Sequence, residues 1–214
     1  MKEMTLSKQM EERLLDFIRS QMNQDLAHDF NHVLRVVKTA KTLCAKESAI
    51  REIVIPAAYL HDCFSFDKNH PERHKSSVIA AEKAVKFLKS ISYPPVYLDD
   101  IAHAIEAHSY SANIEARTLE AKIVQDADRL DALGAIGVSR CIQVSTKLNR
   151  PLYSSDDPFC LSRSPDDAHF TVDHFYRKLL NLDNSMNTLS AKEEAKKRTS
   201  FMRSFLEQLG NEVI

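Results

Sequence analysis

The chain has 214 residues, of which 28% are charged and 43% hydrophobic, and a formal net charge of −1; it suits a soluble globular protein with no global field to recruit nucleic acid or an anionic membrane. Only 3 residues are glycine and none precedes Gly134, which excludes a multi-strand β fold, a Rossmann fingerprint and a Walker loop, because each needs glycine for left-handed turns or close approach to phosphate. Any phosphate chemistry must then rest on a metal and side chains.

Helical periodicity runs through the chain. Met10, Leu14, Leu15, Phe17, Ile18 and Met22 recur at spacings of three and four and predict an amphipathic helix over roughly 6 to 22. A second helix is expected from near Asp29, with Val33, Val36, Val37, Ala40, Leu43 and Cys44 on one side. The stretch from about 50 to 64 is apolar nearly all round, the mark of a helix at the centre of a bundle. Pro56 lies within it, and because proline is tolerated in a first turn, this helix is expected to begin near Ile55. A polar connection over about 65 to 75 precedes a helix over about 76 to 90, stopped by Ser92, Tyr93, Pro94 and Pro95. Further helices are predicted over about 95–108, 117–130, 132–147, 168–182 and 188–210, and the Pro-, Ser- and Asp-rich interval 148–167 reads as a long loop of the kind that often serves as a functional lid. The expected fold is an all-α bundle of eight or nine helices in a single domain. The charged N-terminus is unlike a signal peptide, no apolar run approaches the roughly 20 residues that span a bilayer, and four dispersed cysteines form no CxxC pair. A cytoplasmic protein with reduced thiols is expected.

Histidines and carboxylates carry the chemistry. His28-Asp29 with His32, His61-Asp62, His103 with His108, and the run Gln125 to Asp131 place polar groups on helices expected to be buried. A charged Asp62 at the end of the most apolar helix demands a cationic partner, and a divalent metal is the economical one. His32, on a helix with apolar neighbours Val33 and Val36, and Asp128, interrupting an apolar stretch, suit the remaining positions, with Asp126 and Asp131 as alternatives to Asp128 on other faces. Two histidines and two aspartates favour Mn²⁺, Fe²⁺, Ni²⁺ or Mg²⁺ with open positions over a closed structural zinc site. Gly134 and Gly137, just beyond Asp128, are expected to permit close helix packing beneath the site, and the charge run Lys192 to Arg198 to form a solvated helix face.

The order His32, His61-Asp62, Asp128 on successive helices resembles the HD-domain metal-dependent phosphohydrolases. The strings His28 to Val36, Lys68 to Arg73 with Ser76-Ser77, Ile105 to Ser109 and Gln125 to Gly137 are similar to a YedJ-like bacterial branch of that superfamily, and the likeness continues through Asp157-Pro158 and Asp173-His174-Phe175. The resemblance implies an α-helical core over about residues 25–135 with a helical extension over about 136–214, and one divalent cation, Mn²⁺ first, held by His32, His61, Asp62 and Asp128. It also implies hydrolysis of a small phosphoester, with a nucleoside triphosphate pyrophosphohydrolase-like activity as the leading expectation. The partner expected is a small phosphoester or nucleotide, with no nucleic acid and no membrane.

Such an ion acidifies water and polarises a phosphoryl oxygen. Asp62 and Asp67 are the expected catalytic carboxylates, Asp67 as the base nearest the HD pair. Lys68, Arg73 and Lys75 supply cations for phosphate, while His70, His74 and His108 can donate to substrate or to a leaving oxygen. A second metal on His103 and His108 is a lesser expectation. The Glu-Asp pair of guanosine tetraphosphate hydrolases and a Gly-Tyr-Pro string are both missing. The runner-up readings are a 5'-nucleotidase or other phosphomonoesterase, and a non-catalytic ligand-sensing module on the HD fold.

Overall fold

Periodicity of three and four becomes nine α-helices and no strand among the described residues, which are 6–21, 30–67 and 70–213 of a computed structural model. The helices are α1 (Lys8–Gln21), α2 (Phe30–Glu47), α3 (Arg51–Leu60), α4 (Ser76–Ser90), α5 (Leu98–His108), α6 (Leu119–Leu130), α7 (Gly134–Lys147), α8 (Thr171–Arg177) and α9 (Leu189–Val213). Short 3-10 turns occupy Arg73–Lys75, Pro95–Tyr97 and Leu179–Ser185. No helix among the described residues is long and apolar enough to cross a membrane. All four cysteines are free thiols.

The chain forms two compact units, divided between Asp128 and Arg129 in the last turn of α6. In the first unit α3 is the central element and touches α1, α2, α4 and α5. Its residues from Ile53 to Leu60 are all buried, as its unbroken apolar sequence requires. In the second unit α7 and the Leu179–Ser185 turn lie against α9, with α8 beside α7 and that turn.

The expected start of α3 near Ile55 is wrong: the helix begins at Arg51 and carries Pro56 in its interior. Proline at that position cannot donate to the carbonyl of Glu52, four residues earlier. The hydroxyl of Tyr93 donates to that carbonyl instead, at 2.7 Å. A tyrosine beyond the end of α4 thus satisfies the acceptor that the proline leaves open, and the helix continues through it.

The scarcity of glycine also has a structural answer. Helices α2, α4 and α7 are each followed by a residue with left-handed backbone, Ser48 (φ 56°), Ser92 (φ 58°) and Asn149 (φ 53°). The next N–H in each case reaches back to the helix: Ala49 to Cys44 O (3.1 Å), Tyr93 to Leu88 O (2.9 Å) and Arg150 to Ser145 O (3.0 Å). This is the Schellman closure, usually made with glycine. Gly134 does adopt φ 70°, and a Cβ there would stand 3.2 Å from Arg198 Cγ on α9. Gly137 departs from expectation: a Cβ there would lie 2.2 Å from the carbonyl oxygen of Ala132, in the turn just before α7. Its smallness serves its own segment.

The predicted helix over 168–182 is broken into α8 and the following 3-10 turn. Asn181 Nδ2 donates to Tyr176 O at 3.0 Å, offering that carbonyl a side-chain partner near the break. The long loop extends to Phe170 and is scaffolded from within. Asp157 accepts N–H bonds from Leu161 (2.9 Å), Ser162 (2.8 Å) and Arg163 (3.2 Å), which bring its carboxyl down to about 2. Arg163 in turn forks onto both carboxylate oxygens of the fully buried Asp173. Phe159 and Leu161 from this loop line an open, mainly apolar groove of about 340 Å³ with Tyr176, Leu180 and Leu206.

Candidate metal centre

Four helices of the first unit each bring a donor to one point. His32 is the third residue of α2, His61 follows the last residue of α3 with Asp62 directly after it, His108 closes α5, and Asp128 lies in the last turn of α6. Two side-chain bonds hold α6 in place: Gln125 Nε2 donates to Ala107 O at 2.6 Å, and Glu120 accepts the N–H of Ile50 at 3.1 Å. The first fixes α6 to the end of α5 beside His108, and the second fixes its start to the start of α3.

The ring nitrogens His61 Nε2 and His32 Nε2 are 3.4 Å apart. Asp128 Oδ1 stands 3.4 Å from His32 Nε2 and 3.9 Å from His61 Nε2. Asp62 Oδ2 stands 3.8 Å and 3.7 Å from the same two nitrogens. The other oxygen of Asp62, Oδ1, faces His108 Nε2 at 3.6 Å. His32, His61 and His108 are buried, whereas the side chains of Asp62 and Asp128 keep 17% and 31% exposure, so the carboxylates form the solvent-facing side. An incoming molecule would meet that side first.

The electrostatics suit a cation. Burial by itself pushes the Asp62 carboxyl up, but His61, His108 and His32 outweigh it and hold it well below the ordinary carboxylate range. Asp128 follows the same balance, with His32 the strongest opposing partner. At His61 burial wins and lowers the imidazole, keeping the ring neutral. At His108 the opposing pull of Asp62 is stronger than burial and raises it. His61 Nδ1 lies 2.9 Å from Ala58 O, and a carbonyl only accepts, so Nδ1 carries the hydrogen and Nε2 turns a lone pair toward the other donors. Two groups among the described residues meet the geometry of a metal site, His32 with His61 and Asp128, and His61 with Asp62 and His108. Ionised carboxylates and neutral imidazoles converging in this way fit a divalent ion of the Mn²⁺, Fe²⁺ or Ni²⁺ type.

The other expected site residues among those described join neither metal-capable group. Asp67 is exposed, and its backbone carbonyl accepts the N–H of His70. The ring of His70 stacks on Phe66 with centroids 4.1 Å apart, and Arg73 Nη1 donates to Phe66 O at 2.8 Å. None of these three makes a hydrogen bond or ion pair with the five donors. Lys68, His28 and Asp29 lie outside the described residues. His103 turns its Nε2 to the N–H of Arg117 at 3.1 Å and joins neither metal-capable group. Asp131 pairs with Arg140 at 2.7 Å. Sequence reasoning placed His108 with the substrate, and the geometry places it beside Asp62. Its signal was its position at a helix end, which it shares with His61.

The family model for the HD domain matches residues 29–133. The protein YpgQ of Bacillus subtilis is 32% identical over 195 residues, 89% of this chain and 87% of its own. The crystal structure of Bacillus subtilis YpgQ in complex with ADP superposes with a TM-score of 0.74 at 29% identity, covering 94% of this chain and 97% of that one. The crystal structure of an HD-superfamily hydrolase from Bacillus thuringiensis gives a TM-score of 0.75 at 33% identity, with 96% and 97% covered.

Proposed function

This chain belongs to the HD domain family, and we propose on that premise that it is a divalent-metal-dependent phosphohydrolase acting on a small phosphoester, with a nucleotide as substrate and Mn²⁺ as the metal. The observation that carries this reading is the convergence of His32, His61, Asp62 and Asp128, with ring nitrogens 3.4 Å apart and two carboxylates closing the open side. ADP bound to Bacillus subtilis YpgQ supports the choice of a nucleotide. We place the core at about residues 25–135 and a helical extension over about 136–214, and we place the activity in the cytoplasm.

When bound, the cation supplies a Lewis acid that polarises a phosphoryl oxygen and acidifies water. The residues prepare its position. Ala58 O holds the His61 ring so that Nε2 faces the centre, and the imidazoles keep Asp62 and Asp128 ionised. Asp67 is the proposed base, since its exposed carboxylate follows the HD pair closely in sequence. Lys68, His70 and Arg73 are the proposed phosphate contacts. Arg73 Nη1 is held by Phe66 O, which fixes the guanidinium and leaves its other N–H groups for anionic oxygens.

The test is a Mn²⁺-supplemented screen of nucleoside triphosphates, monophosphates and cyclic nucleotides with products resolved as pyrophosphate or orthophosphate. Pyrophosphate from triphosphates, with a loss of about 10²-fold or more in Asp62→Ala and Asp128→Ala, is the expected result. Orthophosphate from monophosphates would reassign the enzyme as a phosphomonoesterase. A purified protein without divalent ion, in which neither alanine changes ion content or thermal stability, would sink the enzyme reading.

A further inference from the structure

We propose, resting on the metal-centre reading above, that His108 is a fifth protein ligand of the same cation. His61 and His108 are built alike. Each stands at the C-terminal end of its helix, α3 or α5, and each sets Nδ1 against the carbonyl three residues earlier, Ala58 O at 2.9 Å and Ile105 O at 2.5 Å. A carbonyl only accepts, so both Nδ1 atoms carry hydrogen, and Nε2 is the ring atom each histidine turns toward the other donors. Both Nε2 atoms then face Asp62, His61 toward Oδ2 at 3.7 Å and His108 toward Oδ1 at 3.6 Å. His108 is 7% exposed, and the group its Nε2 faces is the Asp62 carboxylate. Asp62 thus has an imidazole nitrogen at each of its two oxygens. A histidine that only closed the end of α5 would need its Nδ1 bond alone.

The two metal-capable triads share His61, and within each the ligand atoms lie within 4.8 Å of one another. One imidazole lone pair serves one ion, so the triads describe a single centre with five donors. Ligands bound at about 2.1 Å stand roughly 3 to 4.3 Å apart around one ion; the separations of 3.4 to 3.9 Å that join His32 and His61 to each other and to Asp62 and Asp128, and the 3.6 Å from His108 Nε2 to Asp62 Oδ1, fall in that range. Three imidazoles with two carboxylates favour Mn²⁺, Fe²⁺, Co²⁺ or Ni²⁺ over Mg²⁺, whose preference is for oxygen.

Pulsed EPR of the Mn²⁺-loaded full chain counts coordinated imidazole nitrogens directly, and Co²⁺ and Mg²⁺ titrations of His108→Ala and His108→Gln measure what the third imidazole adds. Expected are one ion per chain, three nitrogens in the unsubstituted protein, two in either variant, and Co²⁺ affinity lowered about tenfold or more with Mg²⁺ affinity changed by less than about threefold. Two nitrogens in the unsubstituted protein, or two ions per chain, overturns the proposal without needing a variant to fold, while leaving the four-ligand centre standing. A chain that takes up no ion overturns the four-ligand centre as well.

Discussion

His103 and His108 are five residues apart on α5, and the distances around them separate their roles. His103 Nε2 accepts the N–H of Arg117 at 3.1 Å and so ties the segment after α5 to the helix. His103→Ala would leave that partly buried N–H without its acceptor, a loss of about 1 to 2 kcal/mol. Urea unfolding should report that loss, while metal content measured by atomic spectrometry stays at the unsubstituted level. A parallel loss of metal would return His103 to the centre. Asp173 gives a second residue-scale prediction. Burial alone would raise its carboxyl, but the Arg163 fork and the N–H of Asp166 at 2.6 Å hold it below 3.8. A carboxyl depressed in the folded state contributes stability that is present above its unfolded value and is lost as pH falls through the folded one. Asp173→Asn should therefore be less stable by about 3 kcal/mol at neutral pH, because Arg163 loses its buried partner. The gap should narrow below pH 3.8. A gap that stays constant through acid would assign the loss to packing rather than charge.

Helix ends and interruptions carry the element-scale arguments. Ser48 and Ser92 hold left-handed backbone that glycine adopts without strain, and both close Schellman motifs. Ser48→Gly and Ser92→Gly should each stabilise by about 0.5 to 1 kcal/mol, because relief of the left-handed strain exceeds the added chain entropy. Thermal melts of the single and double variants check this, and a lower midpoint would refute it. Tyr93 and Pro56 make a coupled pair through the Glu52 carbonyl. Tyr93→Phe should cost about 1 to 3 kcal/mol by leaving that acceptor bare. Pro56→Ala restores the helix's own donor, so in its background the same tyrosine substitution should cost much less, and a double-mutant cycle reads the difference. The sequence predicted α4 to its end residues because its apolar spacing and the stop after it are local. It misplaced the start of α3 because the remedy for Pro56 comes from Tyr93, 41 residues from the carbonyl it satisfies. The break between α8 and its following turn escaped for a similar reason: the apolar pattern continues across it, while the backbone at Lys178 (φ −133°, ψ −59°) departs from helix.

Across the whole molecule, the part of the site legible in the sequence was the part that burial forces. Carboxylates on apolar helices need a cation, so His32, His61, Asp62 and Asp128 could be singled out before the helices were arranged. His108 could not be grouped with them, because its place depends on where α5 ends relative to α3, and spacing along the chain does not encode that. All five donors precede Arg129 and therefore belong to the first compact unit. An ion that binds only the folded site adds about 2.7 kcal/mol of stability at a hundredfold excess over its dissociation constant, and chelation removes that amount. The loss should be local to the elements that present donors. Hydrogen exchange after EDTA treatment should rise at the ends of α3 and α5, the first turn of α2 and the last turn of α6. The Asp157 loop, held by its own carboxylate bonds to Leu161, Ser162 and Arg163, should keep its protection. An equal rise in the loop and at the donor helices would mean that the ion stabilises the chain as one cooperative body, against a binding energy confined to the unit that holds it.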